Sequence, residues 1–310
     1  MEIHHGAQRC RTDLKTTHEE ADVIMIQQVA KVAEDGAKCI TVICDDTDVF
    51  ILLVYHFAEL HLQCCVTMEA TCPGRSLIDI GATARKHAGM VQDLLALHTL
   101  TGCDTVAQMY GRGKLTGKKT LAAGHSLQKL GNVDASIDDV IAEATVFMAV
   151  CYGSKERSNM SDVRKEVWSM KMAKPNAIKA PDLKALPPTT ESFEQNVRRA
   201  HIQTAIWKSA AELQPPPLDP TQYGWKRDEA SRSLLPIMLP PNVALAPPEI
   251  LELIRCGCSS DKQCCTAHCR CTAAKLPCTV FCTCHGDTGC RNERTKTAAA
   301  FALDDDSDTE

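Results

Sequence analysis

Ten cysteines fall within thirty-five residues near the C-terminus, grouped as Cys256-Gly-Cys258, Cys264-Cys265, Cys269-Arg-Cys271, Cys278, Cys282-Thr-Cys284 and Cys290. Thiolates are soft ligands, and three C-x-C pairs at this density read as a zinc–thiolate cluster. A second set of residues able to do chemistry is acidic and lies toward the N-terminus. It consists of Glu19-Glu20-Ala-Asp22, then Asp45-Asp46-Thr-Asp48, then Leu100-Thr-Gly-Cys-Asp104, with Gly111-Arg-Gly-Lys114 and Lys118-Lys119 following. Clustered carboxylates repel one another unless a cation neutralises them. Oxygen ligands of this hardness suit Mg²⁺ or Mn²⁺, and a pair of such ions can promote phosphodiester hydrolysis.

The elements that must position the acids are legible in outline. Thr17-His-Glu-Glu20 has a capping-box pattern and predicts a helix running to about Asp35, with Gly36 as its stop. Cys39 to Cys44 predicts a strand buried in a parallel sheet, and Val49 to Phe57 is helical or extended. Further strands are expected at Cys64–Glu69 and Ser76–Ile80, and helices at about Ala82–His87 and Val91–Thr99. Alternating β and α elements imply a mostly parallel sheet flanked by helices, with carboxylates gathered at the strand ends. Each acidic motif also has a plain structural explanation. Glu20 can complete a cap, Asp22 can favour a helix dipole, Asp45 to Asp48 can form a capped turn, and Asp104 can cap the next helix.

Composition bounds the rest. The chain has 310 residues, 44% of them hydrophobic and only 4% aromatic, which fits two domains packed chiefly by aliphatic side chains. The longest apolar run, Val49 to Ala58, is too short to span a bilayer, and no membrane partner is expected. No export signal is evident at the N-terminus, so the expected surroundings are intracellular and reducing. Of the fifteen prolines, thirteen lie between Pro175 and Pro248, marking a connector that keeps one helix near 191–213. The expected organisation is therefore an α/β domain over 1–172, the Pro-rich irregular connector over 173–250, a cysteine module over 251–296 and an acidic, solvated tail over 297–310. That tail carries five of the acids behind the formal net charge of −5, which leaves a near-neutral body compatible with a nucleic-acid partner.

The order E-A-D, an apolar strand ending in D-D-x-D, and L-x-G-x-D with a glycine- and lysine-containing turn resembles the C-terminal half of flap-endonuclease-type nucleases. The resemblance implies a PIN-like fold and makes Glu20, Asp22, Asp46, Asp48 and Asp104 metal-binding acids. It also implies that Gly102 to Leu121 begins a duplex-gripping helix–two-turn–helix, with Arg112, Lys114, Lys118 and Lys119 supplying charge. The first catalytic aspartates of that family lie on strands before the E-A-D helix. Here some sixteen residues precede that helix and Asp13 is the sole aspartate among them. The expectation is thus a partial flap-nuclease-like domain, inactive alone, with a protein partner able to complete it.

The spacing C-x-C-x5-C-x4-C-x-C-x6-C-x3-C-x-C-x5-C-x-N resembles the tesmin-type CXC domain of DNA-binding regulators, and implies Cys256, Cys258, Cys264, Cys269, Cys271, Cys278, Cys282, Cys284 and Cys290 as zinc ligands. Nine thiolates serve about three zinc ions only if three sulfurs bridge, and Cys265 is left outside the set. Two departures are visible: the repeat is single, and His268 stands where the family has an aromatic residue. Arg270 and Lys275 are candidate phosphate contacts. Seven lysines and arginines face three acids between Arg255 and Lys296, but three zincs and nine thiolates bring the module's formal charge down to about +1. A structural zinc knot for protein contacts remains open beside DNA binding. Together with THEEAD, CDDTDVFILL, LTGCDT, CYGSK, SDVRKEVW, LPPTTESF and YGW, these motifs resemble an uncharacterised, mobile-element-associated family of animal proteins that joins the two domain types. The expectation is a nuclear, DNA-associated protein.

Overall fold

The computed structural model describes residues 2–4, 7–9, 12–72, 74, 76–154, 159–172, 183–239, 255–258, 264–279, 282–286 and 289–295. The chain forms two compact units, Met1–Pro240 and Pro241–Glu310.

The first unit is mixed α/β. After a short antiparallel pair, β1 (Glu2–His4) with β2 (Ala7–Arg9), come α1 (Ala21–Glu34), β3 (Cys39–Ile43), α2 (Thr47–Glu59) and β4 (Cys65–Glu69). β3 and β4 run parallel with Cys39 opposite Cys65, because α2 carries the chain back across the sheet between them. β5 (Ile78–Asp79) returns through a short loop and therefore pairs antiparallel with β4. The sheet is thus small and mixed where a mostly parallel one is expected. Helices follow: α3 (Ile80–Lys86), α4 (Leu94–Leu100), α5 (Lys114–Ala122), α6 (Ile137–Cys151), α7 (Met160–Met172) and α8 (Thr190–Lys208). The hairpin β6 (Trp225–Arg227) with β7 (Leu234–Pro236) ends the described part of this unit. No helix among the described residues is long and apolar enough to cross a membrane.

Two local expectations are corrected. The capping box does not form. Glu20 is the N-cap residue of α1 but makes no side-chain cap, and Thr17 N–H instead donates to the Leu213 carbonyl at 3.3 Å. β3 is not buried on both faces either. Val42 faces the core, while Cys39, Thr41 and Ile43 are exposed and Ile43 is 66% accessible. Alternation hidden in a nearly all-apolar sequence becomes visible only because helices cover one side of this sheet.

The core has two parts. Val23, Ile26, Leu52, Val66 and Ile80 pack between the sheet and its helices, and Leu100, Leu127, Phe147, Met160 and Val163 fill an all-helical half. α8 runs through both, with Phe193, Val197 and Ala200 in the helical half and Trp207 in the α/β half. The helix expected near 191–213 within the proline-rich stretch is thus α8, but it is buried between the two cores rather than laid on a surface. Thr189 caps α8 by accepting from Ser192 N–H, and a 19-residue helix can then present apolar side chains to two neighbours at once.

Because Phe193 is 1% exposed, Phe193→Ala should cost about 3–5 kcal/mol, read from the urea midpoint. A cost below about 0.5 kcal/mol would be that of a surface position.

Candidate functional site

The C-terminal end of β3 leads directly into the acidic turn. Asp46 caps α2, its Oδ1 accepting from Asp48 N–H at 2.8 Å, so the capped turn and the carboxylate cluster are the same structure. Asp22 lies in the first turn of α1. One oxygen from each of Asp22, Asp46 and Asp48 falls within 4.8 Å of the others, a spacing at which they can hold a metal ion. Two helix N-termini meet here, and their dipoles favour negative charge.

The five acids do not share one environment. Asp48 is buried and takes a hydrogen bond from His98 Nε2 at 2.7 Å, which holds its carboxyl below the ordinary range. Asp22 is half-buried. Burial, then the charges of Asp46, Asp48 and Asp104, push its carboxyl up. Glu20 stands outside the group of three. Its carboxylate accepts from Gln203 Nε2 at 3.0 Å and from Trp207 Nε1 at 3.1 Å, and burial raises its pKa against those bonds. Asp104 is exposed and lines the same cleft as Asp46 and Asp48. It does not cap α5, whose N-cap is Gly113.

Gly102 makes the turn that brings Asp104 to the cleft. Its φ is +119°, and a Cβ there would meet Gln108 Cα at 2.9 Å, so only glycine fits without moving backbone. Lys114 Nζ donates to the Gly102 carbonyl at 2.7 Å and lines the cleft. Lys118 and Lys119 are exposed on α5. Arg112 is turned inward, its guanidinium 5.0 Å from the Tyr152 ring centre. The cleft has a volume of about 560 Å³, and its far wall includes Arg199 and Trp225.

Three contributors carry no recognisable sequence signal. His98, Gln203 and Trp207 meet the acids only through tertiary packing, with His98 fifty residues from Asp48.

In the second unit, all nine expected ligands pack into one cluster; Cys284 is partly buried and the other eight are buried. Cys265 is exposed outside it. Sulfurs 2.3 Å from a tetrahedral zinc lie about 3.8 Å from one another. The Sγ separations are 3.9 Å for Cys256–Cys278, 3.7 Å for Cys256–Cys284, 3.5 Å for Cys271–Cys282 and 4.0 Å for Cys284–Cys290. The donor set therefore fits zinc. Cys256 belongs to each of three overlapping four-cysteine groups able to hold a metal ion, and Cys264, Cys269 and Cys278 to two each. Burial, followed by the neighbouring Cys256 and Cys269, pushes the Cys258 thiol up to about 12. A cation is what lets such a thiol ionise near neutral pH.

Backbone and side-chain donors surround the sulfurs. Asn292 Nδ2 donates to the Leu276 carbonyl at 2.8 Å and lies 3.4 Å from Cys278 Sγ, and Cys278 N–H donates to Thr295 Oγ1 at 2.8 Å. Gly286 turns at φ +60°, where a Cβ would meet the Cys278 carbonyl oxygen at 2.5 Å. His268, His285, Arg270 and Lys275 are all exposed. Val280, Phe281 and the acidic tail lie outside the described residues.

No protein-family model matches the chain, and neither a curated protein nor a solved structure matches it significantly.

Cys256→Ala should lower zinc content per chain, measured by mass spectrometry, while Cys265→Ala leaves it at the wild-type value. Equal losses would mean that the shared sulfur is not special. The acidic site makes a signed prediction. Because the Asp22 pKa is raised above 3.8, its contribution to stability is present at low pH and is lost as pH rises through the shifted value. Asp22→Asn should therefore raise the urea midpoint of the first unit at neutral pH without added divalent ion. It should also remove the further increase that Mn²⁺ gives the wild type.

Proposed function

We propose that this is a zinc-binding, nucleic-acid-associated protein whose first unit is a partial flap-nuclease-like domain of PIN-like ancestry. The observation that carries this reading is the convergence of Asp22, Asp46 and Asp48 within 4.8 Å, at an open cleft lined by Asp46, Asp48, Asp104 and Lys114. A divalent ion bound there would neutralise a phosphodiester and activate water. The chain's own groups have separate roles. His98 fixes the Asp48 carboxylate, Asp46 and Asp22 offer oxygens, and Lys114 places a positive charge at the edge of the cleft. Three clustered carboxylates can hold one ion. The two-ion arrangement used for phosphodiester cleavage needs further ligands, so hydrolysis by this chain alone is expected to be weak or absent.

The zinc module is assigned a docking role on nucleic acid, DNA above RNA, in keeping with a nuclear protein. Arg255, Arg270, Lys275, Arg291 and Arg294 are exposed around a sulfur cluster that absorbs part of the positive charge, which supports loose phosphate contact rather than sequence readout.

A second reading is favoured by one observation. β3 pairs only with β4 among the described residues, and its other edge and outer face are uncovered. A partner strand added at that edge would extend the sheet beside the acidic turn and could bring the missing carboxylates.

The deciding experiment uses a labelled flap substrate and a gel-shift series over salt. Binding that weakens steeply with salt, without cleavage in Mg²⁺ or Mn²⁺, is the expected result. Cleavage lost in Asp46→Asn would establish an active nuclease instead. No binding even at low salt would leave the zinc knot as a protein-contact scaffold.

A further inference from the structure

The acidic cleft does not end at Trp225. A second cavity of about 290 Å³ adjoins it, and the two share Ala107, Gln108, Arg199 and Met238 as common walls. Their charges differ. The first lobe is lined by Asp46, Asp48 and Asp104, whereas among the described residues no carboxylate lines the second. Arg164, Lys184 and Arg199 do, over an apolar floor that includes Tyr152 and Phe193. The volume is at the low end for ligand sites and suits a single planar group with its phosphate.

The saddle between the lobes is built rather than incidental. Arg199 is 3% exposed and donates through NH1 to the carbonyls of Gly224 and Ile237, at 3.1 and 2.7 Å. Those two bonds clamp both ends of the β6–β7 hairpin onto α8. They hold the Trp225 ring 5.9 Å from the guanidinium and in the wall of the first lobe. On the other side, Arg164 donates to the Pro187 carbonyl and so fixes the Pro187–Pro188 rim of the second lobe. Burial pushes the Tyr152 phenol up to about 12, so it stays a neutral hydrogen-bond donor.

Resting on the function proposed above, we infer that this second lobe is a nucleotide subsite: an unpaired strand crosses from the carboxylates, stacks a base on Trp225 and seats the next base and phosphate between Tyr152, Arg164 and Lys184. An aromatic wall beside cations is the usual way to hold a single strand without reading its sequence. A duplex is too wide for the lobe, so the subsite selects unpaired nucleic acid.

The test uses the zinc-replete full chain carrying Trp168→Phe. That leaves Trp225 and the fully buried Trp207 as fluorophores, and the cysteine module holds no tryptophan. A short oligothymidylate should quench the fluorescence, and Trp225→Phe should abolish the quenching. Lys184→Ala should flatten the dependence of log affinity on log salt by about 0.7, the value for one phosphate contact on a single strand. Lys129→Ala, a surface change elsewhere, should leave the slope unaltered. Gel-shift binding without quenching, or a slope indifferent to Lys184, would overturn the subsite and leave the broader nucleic-acid reading standing. Absence of binding in both assays would overturn both.

Discussion

Ionisable groups of one kind cannot be packed together without something that offsets their repulsion. Both units of this protein face that constraint. In the first, Asp22, Asp46 and Asp48 crowd one end of a parallel strand pair, and burial together with the neighbouring carboxylates raises the pKa of Asp22. In the second, nine thiols share a volume with almost no described apolar side chains beside them. The solutions differ in origin. The carboxylates are held by a conventional apolar core that exists whether or not a cation is bound. The thiols largely are the core, so order in that unit depends on what binds them.

α8 is the brace for the acidic end. Its Trp207 indole holds Glu20, its Gln203 holds the same carboxylate, and its Thr204 hydroxyl meets Thr99 of α4 at 2.6 Å. His98, on α4 and packed 5.8 Å from the Trp207 ring, then holds Asp48. Two of the acids are therefore aimed by a helix lying some 150 residues or more downstream of them. The cost of desolvating Glu20 is offset by two donors, which gives it a fixed orientation. That fixed orientation also takes it out of the group able to share an ion.

This division explains what the sequence made legible. Motif-borne features survive well: the acids at the start of α1 and α2, the strand between them, and the nine cysteines whose spacing singles them out from Cys265. Features set by long-range packing do not. The capping-box pattern at Thr17 to Glu20 is locally sound, but Trp207 competes for the Glu20 carboxylate and prevails. CITVIC is apolar but for Thr41, so its pattern cannot tell a strand buried on both faces from one with Ile43 in solvent; only the number of covering helices decides. Arg112 counts as charge in a sequence and as a half-buried side chain stacked on Tyr152 in the fold. The helix between the prolines is legible, but proline density suggests a surface connector, whereas that helix is apolar on enough of its surface to cross both cores.

The charges of the cleft also fix an order of events. Asp46, Asp48 and Asp104 line its first lobe against Lys114 and Arg199, and Arg199 is committed to backbone carbonyls of the hairpin. A phosphate entering that lobe alone would meet more negative than available positive charge and would be repelled. One entering from the second lobe would meet cations first. On the function proposed above, occupancy of the carboxylates by a cation would have to precede, or accompany, movement of a strand across the saddle. The same geometry that would make a metal-free first lobe hostile to a phosphate would, on that proposal, make the second lobe the point of entry.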